Sequence, residues 1–202
     1  MTWLIGCETS GIVRDAFRAR GIDAVSCDLL PSERDGPHIL GDVRAALQLQ
    51  RWSGFIVHPE CTYLSVSGLH WNKRVPGRAE KTERALEFVR DLFELSAHVP
   101  KFCLENPVSC ISTRIMKPSQ IIQPYEFGHD ASKKTCFWLR GLPELIPTEY
   151  VAPRVVAGRP RWANQTDSGQ NRLTPSPTRW LDRARTYPGI ADAMVDQWGR
   201  RR

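Results

Sequence analysis

Apolar positions in the first half of the chain alternate between two periods. Residues 3–7 form a short apolar run that reads as a strand. Over 11–20, Ile12, Val13, Ala16 and Phe17 share one helical face, with Ser10 the expected N-cap and Gly21 the stop. Residues 24–27 read as a second strand ending at Asp28, followed by a loop carrying Pro31, Gly36 and Pro37. A short helix is expected over 43–50, and a third strand over 54–57, ending at His58-Pro59. Residues 59–78 lack clean periodicity and carry Gly68, Pro76 and Gly77. They read as a long loop, and such loops in compact domains are commonly functional. The longest helix is expected over 79–97, on a stripe of Ala85, Leu86, Val89, Leu92, Phe93 and Leu95. Strands follow at 101–104, 121–122 and 135–139, and a closing helix at 189–198.

This alternation predicts an α/β domain with a mostly parallel sheet. Ligands in such sheets lie beyond the carboxyl ends of the strands. The polar residues above sit there: Gly6 to Gly11 after the first strand, Asp28 after the second, Cys61 after the third, Glu105 after the fourth. There is no internal repeat. The 202 residues suit one domain. The expected division is a core over 1–142, a short Arg/Pro-rich segment over 143–188, and a C-terminal helix over 189–202 packing back on the core.

Charge sharpens this picture. Residues 1–150 carry 18 basic and 18 acidic side chains, whereas 151–202 hold ten Arg, no Lys and four Asp, which supply the whole net charge of +6. Arginine suits bidentate contacts to phosphate and guanine. The C-terminal quarter is therefore the candidate nucleic-acid surface, while Arg200, Arg201 and Arg202 read as a solvated tail. Of the tryptophans, Trp138 and Trp198 fit apolar patterns and are expected in the core. Trp162 and Trp180, beside Arg161 and Arg179, are candidates for contact with bases. The N-terminus has neither a basic leader nor a long apolar run, so a cytoplasmic protein without membrane association is expected. The six cysteines include no C-x-x-C pair, so no metal site is expected and most should be small core residues.

Three stretches carry candidate chemistry. Gly6-Cys7-Glu8-Thr9-Ser10-Gly11 joins strand to helix and permits a tight turn, but it is neither a G-x-G-x-x-G fingerprint nor a P-loop. Asp28 can hold the hydroxyls of a ribose, or be a loop residue. Asp42, before Val43, reads either as an N-cap or as an acceptor for an adenine amino group. In His58-Pro59-Glu60-Cys61, the cysteine opens a polar loop where a nearby cation or helix end would favour its thiolate. His58 reads equally as a strand cap or as a group tuning Cys61. Glu105-Asn106-Pro107 ends the neighbouring strand. Exclusion of water there would raise the carboxyl pKa and let it donate a proton near neutrality. A thiol and a carboxylic acid so placed suit pyrimidine chemistry: thiolate adds at C6 while the acid serves N3, which makes C5 nucleophilic. In a duplex the base must first leave the stack.

These residues, in this order, resemble the cytosine-C5 DNA methyltransferases: Gly-rich turn, acidic ribose residue, Asp-Val pair, Pro-Cys loop with Ser65 and Gly68 downstream, then Glu-Asn. The chain is most similar to the short members found in bacteriophage genomes, whose Tyr-Pro-Gly-Ile-Ala and Gln-Trp-Gly runs resemble 187–191 and 197–199. The resemblance covers 3–107 and the end of the chain in outline. It implies a Rossmann-like methyltransferase fold with helices on both faces of the sheet and S-adenosylmethionine as cofactor. The implied substrate is double-stranded DNA. The implied catalytic residues are Cys61, Glu105 and Asn106. Glu8, Thr9, Ser10, Gly11, Asp28, Leu29, Asp42, Val43 and Pro59 would contact the cofactor, and Ser65, Lys133, Lys134, Arg159, Arg161, Arg172 and Arg179 the DNA.

The chain departs from the family at four places. Glu60 replaces a second proline. Ser132-Lys133-Lys134-Thr135 stands where the family has Gln-x-Arg-x-Arg, so Lys133 or Lys134 must substitute for arginine. The cofactor-closing Gly-Asn-Ala-Val run has no counterpart. The large target-recognition region is absent, which leaves open relaxed specificity, a dimer, or a partner completing the site. RNA or a free pyrimidine nucleotide as substrate, and an inactive nucleic-acid-binding protein of the same fold, are the alternatives.

Overall fold

The computed structural model describes residues 1–174, 176 and 179–199. The first strands and helices are β1 (Thr2–Gly6), α1 (Ile12–Ala19), β2 (Asp23–Asp28), β3 (His38–Leu40), α2 (Val43–Ala46), β4 (Gly54–Val57) and α3 (Arg78–Leu95). β5 (Phe102–Pro107), α4 (Ile111–Arg114), β6 (Gln120–Ile122), β7 (Thr135–Arg140), β8 (Arg154–Val156), β9 (Arg159–Arg161), α5 (Arg179–Ala184) and α6 (Pro188–Trp198) complete the order. Seven strands make one sheet in the order β3-β2-β1-β4-β5-β7-β6. β7 runs antiparallel to both its neighbours, and the remaining pairs are parallel. This is the Rossmann-like, mostly parallel α/β sheet that the alternation predicts.

Both faces are covered, so the central strands are apolar without a break. Trp3, Ile5 and Ile56 face α1 and α6 with Val13, Phe17, Met194 and Trp198. Leu4, Phe55 and Val57 face α2 and α3 with Val43, Leu86, Val89 and Leu92. Trp138 and Trp198 are buried, as their apolar settings imply, and the Trp198 indole donates to Pro143 O. Among the described residues no helix is long and apolar enough to cross a membrane.

Several local readings change. The Pro/Gly-rich loop contains β3, which pairs parallel with β2 and is held there also by Ser26 Oγ at Pro37 O and His38 Nδ1. Arg14 is wholly buried; it donates to Ser26 Oγ, Ser32 Oγ and the carbonyls of Arg34 and Asp35, tying the 32–37 loop against α1 and β2. α2 is shorter than expected. α1 is preceded by Gly11 in the left-handed region rather than by Ser10 as N-cap. The segment between β7 and α6, expected to be irregular, holds the β8–β9 hairpin and α5. Arg200, Arg201 and Arg202 lie outside the described residues.

Candidate active site

The parallel pairing of β2, β1, β4 and β5 brings four strand ends to one edge. β1 is followed by Cys7, whose φ of +56° turns the chain sharply. A non-glycine residue there stores about 1–3 kcal/mol of strain. The turn sends Glu8 back under α1. Its carboxylate accepts from the amides of Val13 (2.7 Å) and Arg14 (3.3 Å). Ser10 Oγ accepts from Ile12 N at 3.4 Å. These contacts satisfy donors that a helix start otherwise leaves open. Burial raises the Glu8 carboxyl pKa, and the nearby His58 and the two amides only partly offset it. Gly6 is required by packing, since a Cβ there would meet Val43 Cγ2 at 2.5 Å. Thr9 is tied to the following loop, its Oγ1 donating to Glu33.

At the end of β2, Asp28 is half-buried, and one of its oxygens accepts from Leu30 N. Leu29 beside it is 75% exposed, an apolar side chain left at the rim of the edge. Asp42 serves as the N-cap of α2. It accepts from Arg44 N at 2.8 Å and pairs with the Arg44 guanidinium at 2.7 Å, which holds its carboxyl pKa low. Its acceptor capacity is thereby committed within the chain. Val43 is buried in the core beneath it.

Cys61 follows β4 and is half-buried. The amides of Leu64 and Ser65 both donate to its carbonyl, so the loop coils tightly after it. Asn106 Nδ2 donates to Pro59 O at 2.8 Å, and Val66 N to Val108 O, Cys110 N to Leu64 O and a bridge between Ser65 and Ser109 extend the tie. The Pro-Cys loop is therefore laced to the chain that leaves β5. Asn106 Oδ1 is buried without a hydrogen-bond partner.

Glu105 faces this loop. His58 Nδ1 lies 3.1 Å from Glu105 Oε2, both side chains almost wholly buried, and the His58 amide donates to Gly6 O. Burial alone would raise the Glu105 pKa. The hydrogen bond from His58 and the charge of Lys133 prevail and lower it. The expectation that exclusion of water makes Glu105 a proton donor is therefore corrected: in the free protein it is a carboxylate. Cys61 departs from expectation in the opposite sense. Burial, and then the charge of Glu105, push its thiol up, and Lys133 and Arg183 only partly compensate. The site thus rests as a thiol beside a carboxylate.

Lys133 distinguishes itself from Lys134. Its charge reaches both Cys61 and Glu105, and its Nζ donates to Arg183 O at 2.9 Å, whereas Lys134 is exposed. A cavity of about 10 Å³ lies between Glu105, Lys133 and Tyr187. Sequence reasoning passed over Arg183. Its position in α5 gives no motif, and only the fold brings it over Cys61.

The arginine-rich segment is partly committed to itself. Arg161 donates to the carbonyls of Asp167 and Pro160, Arg172 to Gln165 O, and Arg154 pairs with Asp167. Arg159 is exposed and makes no hydrogen bond or ion pair among the described residues. Arg179 begins α5 beside the exposed Trp180. Trp162 is corrected from a base-contacting candidate to a core residue. It is 8% exposed, donates to Val151 O, and stacks on Tyr125 at 4.1 Å. Ser65 Oγ lies 3.0 Å from Ser67 Oγ on the outer side of the loop.

No family model matches the chain, and no curated protein does. Among solved structures, the chain is similar to a crystal structure described as a candidate DNA modification methyltransferase encoded within a prophage in E. coli, with a TM-score of 0.46 and 10% identity. That similarity covers 75% of this chain and 52% of the other, so this chain spans about half the length of that protein.

Proposed function

We propose that the protein is a cytosine-C5 DNA methyltransferase that acts through a covalent bond between Cys61 and C6 of the base. The observation that supports this reading is that the parallel pairing of β4 and β5 brings the Cys61 loop within electrostatic reach of Glu105, with Lys133 acting on both.

S-adenosylmethionine fits the remaining strand ends in part. Asp28 offers a carboxylate oxygen toward a ribose, and exposed Leu29 offers an apolar surface to an adenine. Pro59 and the 8–11 turn border the same edge. Asp42 is spent on Arg44 and is not assigned to the adenine amino group. The cofactor would supply an electrophilic methyl group.

The chain's own residues handle the protons. The adduct needs sulfur without its proton and N3 with one. Cys61 begins protonated and Glu105 ionised. Passing the thiol proton by way of Glu105 to N3 balances the step, and Lys133 steadies the negative charge that moves between them. Asn106 holds the Pro-Cys loop against β5 while sulfur attacks. After C5 accepts the methyl group, a solvent-derived base takes the C5 proton. The N3 proton then returns through Glu105 as the Cys61–C6 bond breaks. Arg159, Arg179 and Arg183, with Lys133, would meet phosphate. Arg161 and Arg172 would act indirectly, by shaping the loop that carries them.

The test is incubation of the protein with cytosine-containing duplex DNA and methyl-labelled S-adenosylmethionine, beside a Cys61→Ala variant. Label at C5 that vanishes with the variant supports the reading. Label on RNA or free nucleotide alone replaces the substrate. Absence of cofactor binding refutes methyl transfer and leaves a nucleic-acid-binding protein.

A further inference from the structure

Of the polar groups at the strand ends, His58 has no part in the chemistry above, and its setting is unusual. It is the first residue after β4, three before Cys61, with its side chain 8% exposed. One ring nitrogen, Nδ1, is 3.1 Å from Glu105 Oε2. The other, Nε2, is buried and has no hydrogen-bond partner. Leaving such an atom unpaired costs about 1–3 kcal/mol, so a histidine is a poor choice here for packing alone. Glu8, in the turn after β1, lies within electrostatic reach of the ring. His58 thus stands between the turn after β1 and the carboxylate on β5.

We propose that His58 is a positioning residue for Glu105: through its Nδ1–H it fixes the carboxylate's orientation and sets how readily that carboxylate takes up a proton. The inference rests on the function proposed above for its catalytic consequence, but the pairing stands by itself. A carboxylate that passes a proton from a thiol to a ring nitrogen must be ionised before the base arrives, although it is buried. The imidazole N–H provides this by a direct, buried hydrogen bond. The titratable and charged groups around the pair are Glu8 after β1, the Cys61 thiol on its own loop, Lys133 before β7, and Arg183 in α5, which acts on Cys61. No atom is transferred to or from His58 in this role. It donates one hydrogen bond throughout, and the proton in transit is carried by Glu105.

The test compares wild type with His58→Phe, which removes the N–H, and His58→Asn, whose side-chain amide can donate from nearly the Nδ1 position. Carboxyl-carbon NMR follows the titration of Glu105 in each protein without substrate, with thermal melting as the check on folding. A hydrogen bond to a charged group corresponds to about ten- to hundredfold in proton affinity. The His58→Phe protein is therefore expected to bind the Glu105 proton at least about tenfold more tightly than wild type. The Asn variant should lie near wild type. Identical Glu105 titration in wild type and His58→Phe overturns the proposal. The methyl-transfer arm reads kcat against pH. His58→Phe should lower kcat and displace its acidic limb upward, with KM for DNA little changed and with rescue by His58→Asn. An unmoved pH profile in an active His58→Phe protein also overturns it. If the Glu105 titration shifts as expected while wild type methylates no cytosine, the His58–Glu105 pairing stands and the methyltransferase reading fails.

Discussion

Asn106 ought to behave unlike an ordinary buried asparagine when truncated. Its Nδ2 donates to Pro59 O at 2.8 Å, while its Oδ1 is buried without a partner. Asn106→Ala strands the Pro59 carbonyl, at a cost of about 1–3 kcal/mol, but removes an already stranded acceptor, a relief of the same order. The net change in unfolding free energy should therefore fall within about 1.5 kcal/mol of zero. For a chain of this length that is a change in Tm of no more than about 6 °C. The effect should appear instead in the Pro-Cys loop. Its remaining ties, at Thr62, Tyr63, Leu64, Ser65 and Val66, lie beyond the cysteine, so the freed part is confined to residues 59–61. Losing a bond worth about 1 kcal/mol raises the population of the open loop about fivefold. Urea or thermal unfolding, paired with iodoacetamide alkylation read site by site by mass spectrometry, measures both. A large loss of stability with unchanged Cys61 alkylation would refute the reasoning and make Asn106 a plain structural residue.

Other expectations follow from the same geometry. Glu8→Ala should cost about 0.5–2 kcal/mol as a lost helix cap, and Glu8→Gln less, since an amide oxygen can still accept from Val13; chemical denaturation of the two variants decides it. Acidification should act on Glu8 and Glu105 with opposite signs. Glu105 has a lowered pKa, so its contribution is present above the ordinary carboxylate range and is lost as pH falls through the folded-state value. Glu8 has a raised pKa, so its contribution is full in acid and declines as pH rises through its folded-state value. Glu105→Gln should therefore flatten the acid side of a stability–pH curve, and Glu8→Gln the other. Glu105→Gln should also speed Cys61 alkylation at fixed pH, by removing a negative charge beside the thiol, whereas Lys133→Met should slow it. Trp162→Ala should cost about 3–5 kcal/mol, as for other buried aromatics, and unchanged stability in a melting experiment would return Trp162 to the list of base contacts. Arg159→Ala should leave Tm unchanged and reduce the salt slope of duplex binding by about one, whereas Arg172→Ala should lower Tm first.

The sheet and the strand-end residues were legible because one physical constraint fixes both. A parallel strand covered on both faces must be apolar throughout, so the first polar residue after it marks its carboxyl end. That rule marks His58 just before the Cys61 loop, Glu105 where β5 turns polar, and Asp28 on the same edge. Where the constraint is absent, legibility fails. β3 is three residues long and half-exposed, and the loop leading into it is tied by Arg14, a buried cation that a sequence alone places at the surface. Trp162 and Arg161 sit side by side and suggest a common nucleic-acid face. The structure buries the indole against Tyr125 and turns the guanidinium onto the 165–167 loop's own backbone.

The protonation states of the site were the least legible feature, and the cause is specific. Burial alone would raise both Cys61 and Glu105, and that is as far as reasoning from sequence carries. Which group escapes depends on where the positive ends lie, and those come from separate elements: His58 on β4's exit, Lys133 before β7, Arg183 in α5. His58 donates directly to Glu105, whereas Cys61 receives only through-space help from the two cations and is opposed by Glu105 itself. A direct, buried hydrogen bond outweighs screened charges at longer range, so the carboxyl group ionises and the thiol does not. In the proposed reaction, the proton required at N3 would come from sulfur, and would leave it only as sulfur bonds to carbon. On that proposal, a half-exposed Cys61 held as a thiol would be less open to solvent oxidants than a resting thiolate.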